Sequence, residues 1–119
     1  MDAVHQAQGK GCGPGILGIC LGGDRASGHL MAKQQLLRGL FDENPEPALA
    51  ELETRCLDEG NQLGIGPMGF GGKTTLLGVK IGTLGRVPAS YFVSIAYLCW
   101  AARKATVRVS EEGAVTWND

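Results

Sequence analysis

Leu63–Gly82 reads LGIGPMGFGGKTTLLGVKIG, and the rest of the chain is organised around it. Six glycines fall between Gly64 and Gly78, and Lys73 stands beside Thr74 and Thr75 at the exit of the loop. Glycine at this density lets backbone pass where a Cβ would clash, and it leaves amide N–H groups able to face an anion. The apolar run Leu76–Ile81 that follows reads as a buried strand. A glycine-rich turn feeding a core strand brings backbone close to a ligand or a second chain. Its bland counterpart is a loop whose glycines only satisfy turn geometry.

A nucleotide-binding P-loop is the sharper competitor, because Gly72-Lys73-Thr74 copies the end of G-x-x-x-x-G-K-[ST]. The spacing fails by one residue: the first glycine is needed at position 67, which is Pro67, and Gly66 comes one place too early. The order fails as well. A P-loop lies between a strand and a helix, whereas Thr74–Ile81 is rich in strand formers. Such a loop would predict thermal stabilisation by ATP, and none is expected.

The 119 residues suffice for one domain, residues 1–119, with a real core. A hydrophobic content of 44% and a net charge of -1 exclude a disordered chain and an electrostatic nucleic-acid binder. No apolar run reaches membrane-spanning length, and the start MDAVHQAQGKG lacks the apolar centre of a signal peptide, so no membrane and a cytoplasmic location are expected. Four cysteines stand at 12, 20, 56 and 99 without a C-x-x-C pair. They are core thiols or scattered ligands gathered by the fold.

Along the chain, Met1–Lys10 reads as a loose lead-in, and the turn cluster Gly11–Gly15 opens onto an apolar strand, Ile16–Leu21. Asp24 or Ser27 caps a helix through about Leu40, with Ala26, Leu30, Leu37 and Leu40 on one stripe. Asn44-Pro45 starts a second helix ending near Gly60, whose buried face is Leu49, Leu52, Cys56 and Leu57. Ala89–Tyr97 reads as a further strand, with Arg103-Lys104 at the polar end of the segment after it. Ala105–Val109 and Ala114–Trp117 read as a closing hairpin. The expected fold is α+β, two helices packed on one mixed sheet of about five short strands, with glycine-rich loops. His29, Phe92 and Trp100 are read as packing residues, and His5 is given no role.

Four stretches, in order, resemble the α portion of the iron–sulfur (class I) fumarate hydratases, including the two-subunit L-tartrate dehydratases. They are Cys12-Gly13-Pro14 leading into Gly15–Gly23; a helix ending in Asn61-Gln62-Leu63; Gly64–Gly72; and Pro88-Ala89-Ser90 followed by Cys99-Trp100-Ala101-Ala102-Arg103. The resemblance covers nearly the whole chain and corresponds to the later section of an α subunit. It implies a hydro-lyase that interconverts fumarate and malate, or dehydrates a tartrate, on a [4Fe–4S] cluster held by three cysteines. Three thiolates leave one iron open to act as a Lewis acid on the departing hydroxyl. By position the implied metal ligands here are Cys12 and Cys99, with Cys20 in the core. Lys73 and Arg86 are candidate substrate-binding donors for a small dicarboxylate.

The chain also departs from the family's pattern. Gly13 replaces the first proline of Cys-Pro-Pro, and Val87 stands where the family has a histidine before Pro88-Ala89-Ser90. The third cysteine ligand is absent from this chain, so the resemblance implies two partners: the missing N-terminal section of the α subunit and a β subunit carrying the catalytic base. The chain alone is expected to be inactive and to form an oligomer or aggregate through an uncovered apolar surface. The alternative is a non-catalytic remnant or assembly module of the same fold.

Overall fold

The computed structural model describes residues 1–102 and 104–118. Helix α1 (Asp2–Ala7) and a short 3-10 turn lead into strand β1 (Gly15–Gly23). Helices α2 (Arg25–Gln35) and α3 (Pro47–Gln62) follow. Next come the glycine loop and strands β2 (Leu76–Arg86) and β3 (Val93–Cys99). A hairpin of β4 (Thr106–Val109) and β5 (Val115–Asn118) ends the chain.

Strand β1 is central, parallel to β2 on one side and antiparallel to β3 on the other. The parallel pair requires a long crossover, which α2 and α3 supply. Successive β1 side chains enter two different cores. Ile16 and Cys20 meet Ala32, Leu36 and Ala96 on the α2 face. Leu17 and Ile19 meet Val4, Leu76, Val79 and Ile81 on the opposite face, against which Leu49, Leu52, Cys56 and Leu57 of α3 pack. A strand covered on both faces is apolar at nearly every position, which accounts for the unbroken run Ile16–Leu21.

This arrangement corrects the expected α+β fold of two helices on one mixed sheet. Among the described residues there are three α-helices, and the five strands divide into a three-stranded sheet and a separate two-stranded one. The segment read as a loose lead-in folds into α1 because Val4, its one large buried side chain, anchors it in the core. The closing hairpin forms as expected but pairs only with itself: Val107 faces Trp117, Val109 faces Val115, and all four stay exposed. Its alternation marks a strand without saying which sheet the strand joins.

Helix α2 also differs from expectation. The capping residues hold: Asp24 accepts the Ala26 and Ser27 backbone N–H groups at 2.8 Å, and Ser27 Oγ accepts the Asp24 N–H at 3.0 Å. The helix ends at Gln35, however, and Gly28, Ala32 and Leu36 face the sheet, leaving Leu30 and Leu37 in solvent. Small residues win the inner face because the helix backbone presses on the sheet; a Cβ on Gly18 of β1 would collide with the Ala32 carbonyl. His29 is exposed, Trp100 is more than half exposed, and Phe92 is half-buried beneath the Arg25 guanidinium. Pro47, not Pro45, opens α3. Arg103 lies outside the described residues. Its neighbour Lys104 donates from Nζ to the carbonyls of Leu36 (2.9 Å) and Arg38 (2.8 Å), tying the segment after β3 to the end of α2.

Candidate functional site

The residues that sequence reasoning links to chemistry gather mostly at one end of the three-stranded sheet. Gly15, the first residue of β1, pairs with Leu76 at the start of β2 and with Cys99 at the end of β3. The turn before β1 carries Cys12 and a cis Gly13–Pro14 bond. It is bound from both sides, since the Trp100 N–H donates to the Pro14 carbonyl at 3.1 Å and the Gly15 N–H donates to the Thr75 carbonyl at 3.2 Å. Cys12 is exposed and Cys99 half-buried.

The Tyr97 ring lies against Gly11 and Gly15, the glycines on either side of the Cys12–Pro14 turn. Tyr97 stands two residues before Cys99, on the same face of β3, opposite Leu17. Burial pushes its phenol upward, and the nearby Cys99 and Cys12 thiols add to the shift. By contrast the Cys20 thiol is fully buried and its ionisation is raised by that burial alone. Cys56, half-buried on α3, is raised mainly by burial too. Cys20 and Cys56 are thus packing thiols.

The glycine loop lies against the Cys12 turn, with Gly13 close to Pro67 and Met68. Gly66 adopts φ 67°, and a Cβ there would strike the Gly71 carbonyl, so only glycine closes the loop at this point. The loop is fixed at its exit. Thr75 Oγ1 accepts the Gly66 N–H at 3.1 Å, and Asn61 Oδ1 accepts the Thr75 and Leu76 N–H groups, both at 2.8 Å. Asn61 belongs to one of the stretches that carry the resemblance, but its part in holding the loop was not legible from sequence. An open cavity of about 650 Å³ lies between α1 and this loop, with His5, Gln8, Gly64 and Phe70 among its lining residues.

Lys73 is exposed just before β2, beside Asp58, Asn61 and Gln62, at the same end of the sheet as the two thiols. Arg86 stands at the far end of β2, where it pairs with Gly23. At about 3.3 Å per residue that strand separates the two cations by about 30 Å or more, so one small dicarboxylate does not span them within one copy. Val87 adjoins Arg86 at that far end and is exposed.

A second polar cluster was missed entirely. Glu53 of α3, buried, accepts from Arg38 Nη1 (2.8 Å), Asn44 Nδ2 (2.7 Å) and the Ile81 backbone N–H (2.7 Å). Asn44 also donates to the Ile81 carbonyl at 2.9 Å. Lys80, equally buried, donates to the Asp42 carbonyl and carboxylate, and Arg38 also pairs with Asp42. Burial would raise the Asp42 carboxyl, but the hydrogen bonds and charges of Arg38 and Lys80 outweigh it and hold the group below the usual range. These groups satisfy one another, and they plug the outer edge of β2. Their role is structural.

The family described as fumarate hydratase (Fumerase) matches residues 1–108. A Geobacillus stearothermophilus protein named "Putative fumarate hydratase class I" is 52% identical over 109 residues, which is 92% of this chain and 21% of that protein. A Methanocaldococcus jannaschii protein named "Putative L(+)-tartrate dehydratase subunit alpha" is 38% identical over 109 residues, 92% of this chain and 38% of the other. The L(+)-tartrate dehydratase subunit alpha of Escherichia coli (strain K12) is 35% identical over 99 residues, 82% of this chain and 32% of that subunit. The chain therefore spans between about a fifth and two fifths of the length of these relatives.

An iron–sulfur cluster held by three cysteines can be tested against the residues present. The described residues contain no group of three or more His, Cys, Asp or Glu side chains placed to hold a metal ion. Cys12 and Cys99 lie at the same end of the sheet, where Gly15 pairs with Cys99 and the Trp100 N–H donates to the Pro14 carbonyl, and two soft thiols are chemically suited to be part of such a donor set. No helix of the described residues is long and apolar enough to cross a membrane.

Proposed function

Because this chain belongs to the fumarate hydratase (Fumerase) family, we propose that it is part of an iron–sulfur hydro-lyase acting on a small dicarboxylate, fumarate and malate or a tartrate. Cys12 and Cys99 are two of the three thiolates that hold the cluster. The third, together with the base that removes the substrate's C–H proton, comes from a further α section and a β subunit. The observation that supports this reading is the meeting of the Cys12 turn and the Cys99 end of β3 at one end of the sheet, beside the glycine loop.

When bound, such a cluster supplies a Lewis-acidic iron that makes hydroxide a feasible leaving group. The residues of this chain do the holding. Cys12 and Cys99 fix the cluster between a tight turn and a strand end. Lys73, at the same end of the sheet, pairs with a substrate carboxylate. Arg86, at the far end, lies outside the site formed by this copy. The row Val93, Ile95 and Tyr97, which runs along β3 to Cys99 and is left open to solvent, is the face that the remaining protein covers.

Anaerobic reconstitution with iron and sulfide, with and without the remaining α section and β subunit, tests the proposal. Cluster absorbance and turnover are expected only in the full assembly, and Cys12→Ser or Cys99→Ser should abolish both. An assembled enzyme that keeps its cluster without either cysteine would sink the assignment. Val87 favours the second reading, a non-catalytic module, because valine cannot donate to a carboxylate or move a proton. Turnover by the assembled wild type, or turnover gained in an assembled Val87→His variant, excludes that module; no turnover in either supports it.

A further inference from the structure

We propose that Tyr97 is a positioning residue for the two thiols, its ring acting as the spacer that sets how far the Cys12 turn stands from Cys99. The inference rests on the cluster reading above and adds a residue to it. Tyr97 and Cys99 project from the same face of β3, and across the sheet they oppose Leu17 and Gly15. The Tyr97 ring leans over Gly15 and on to the turn beyond it. A Cβ on Gly15 would clash with the phenol end of the ring, 2.1 Å from Cζ, and a Cβ on Gly11 would come within 2.8 Å of its edge. The ring is therefore seated on the two glycines that bracket Cys12.

That placement is unusual for a packing residue. Tyr97 is 40% exposed like its row neighbours Val93 and Ile95, but its ring, unlike their side chains, is seated on glycines of the Cys12 turn. Two glycines without side chains leave a hollow on either side of Cys12, and a rigid planar ring with two rotatable bonds fills it at little cost in conformational freedom. Without the ring, the Cys12 turn would be held by the backbone bonds at Pro14 and Gly15 and by the glycine loop against Gly13, none of which reaches β3 beyond Trp100. With it, the turn is gauged against the strand that carries Cys99. The function lies in the ring, so phenylalanine should serve as well as tyrosine.

Cobalt(II) titration of the reduced, metal-free chain under anaerobic conditions tests this without any turnover. Thiolate-to-cobalt charge transfer in the near ultraviolet reports the two sulfurs acting together. The wild-type chain should show a band that needs both Cys12 and Cys99. Tyr97→Phe should bind cobalt as the wild type does, whereas Tyr97→Ala should lose at least about tenfold in affinity, the loss typical of removing an outer support from a metal site. Tyr97→Leu, which keeps apolar bulk and guards against a failure of the alanine variant to fold, should lose a similar amount with an unchanged far-ultraviolet circular dichroism spectrum. Wild-type affinity in a folded Tyr97→Leu or Tyr97→Ala chain would overturn the spacer role and leave the cluster reading standing. A wild-type band indifferent to Cys12→Ser or Cys99→Ser would overturn both.

Discussion

The carboxylate of Glu53 accepts the backbone N–H of Ile81 at 2.7 Å, joining α3 to the outer edge of β2 through a buried charge. The same oxygen takes Arg38 and Asn44, so three donors depend on one side chain. Removing it takes from Arg38 one of its two carboxylate partners and leaves the Ile81 N–H and one Asn44 N–H without their acceptor in a place water reaches poorly. Glu53→Ala should cost about 3–5 kcal/mol, the range for breaking a buried ion pair from one side. Glu53→Gln, which keeps an acceptor but no charge, should cost less. Urea denaturation of the three proteins measures both, and a Glu53→Ala loss under about 1 kcal/mol would mean the network is not holding this edge.

Asn61 closes the glycine loop by accepting two backbone N–H groups and donating to the Leu76 carbonyl at 3.3 Å. Asn61→Ala leaves those groups without their partner and should destabilise the fold by about 1–3 kcal/mol. Its sharper signature is local. Amide exchange and protease cleavage in residues 63–75 should accelerate more than in α2, and equal acceleration in both would show that Asn61 acts on the whole fold.

The Asp42 carboxylate predicts a pH dependence. Its ionisation is lower in the folded state, so it stabilises the fold above the ordinary aspartate value of about 4. That contribution disappears as pH falls from there through the folded value. Stability should decline in acid, and Asp42→Asn should be less stable at pH 7 with a shallower acid decline. An acid slope identical to that of the wild type would remove Asp42 from the account.

The four thiols should separate by reactivity. Cys12 is exposed, Cys56 is half-buried with its ionisation raised, and Cys20 is fully buried and raised. Alkylation followed by mass spectrometry should modify Cys12 first and Cys20 last. Cys12→Ser should change stability by less than about 0.5 kcal/mol, as exposed substitutions do. Cys20→Ser, which buries a hydroxyl, should cost about 1–3 kcal/mol. Comparable losses at the two positions would contradict their division into ligand and packing roles.

What the chain discloses before folding follows a physical divide. The face of α3 was legible because Leu49, Leu52, Cys56 and Leu57 carry its packing through bulk, and periodicity reports bulk. The face of α2 was not, because Gly28 and Ala32 pack by letting backbone approach, and small residues leave no hydrophobic trace. Helix α1 escaped notice for having a single buried side chain, Val4. Alternation identified β4 and β5 but carries no information about their neighbours. At the site, the thiols were found through their motif stretches. Tyr97, Asn61 and Glu53 were not, since each acts on backbone or on glycines far away in sequence.

Strand β3 reaches its place beside β1 only after nearly the whole chain has been made, because Gly15 waits for Cys99 across most of its length. Contacts this remote along a polypeptide form late and slowly. A ribosome releasing this protein would therefore expose the first sulfur long before its companion arrives. Cys12, Cys20 and Cys56 are all made before Cys99, so a metal that needed Cys12 and Cys99 together would find the pair only once β3 has docked.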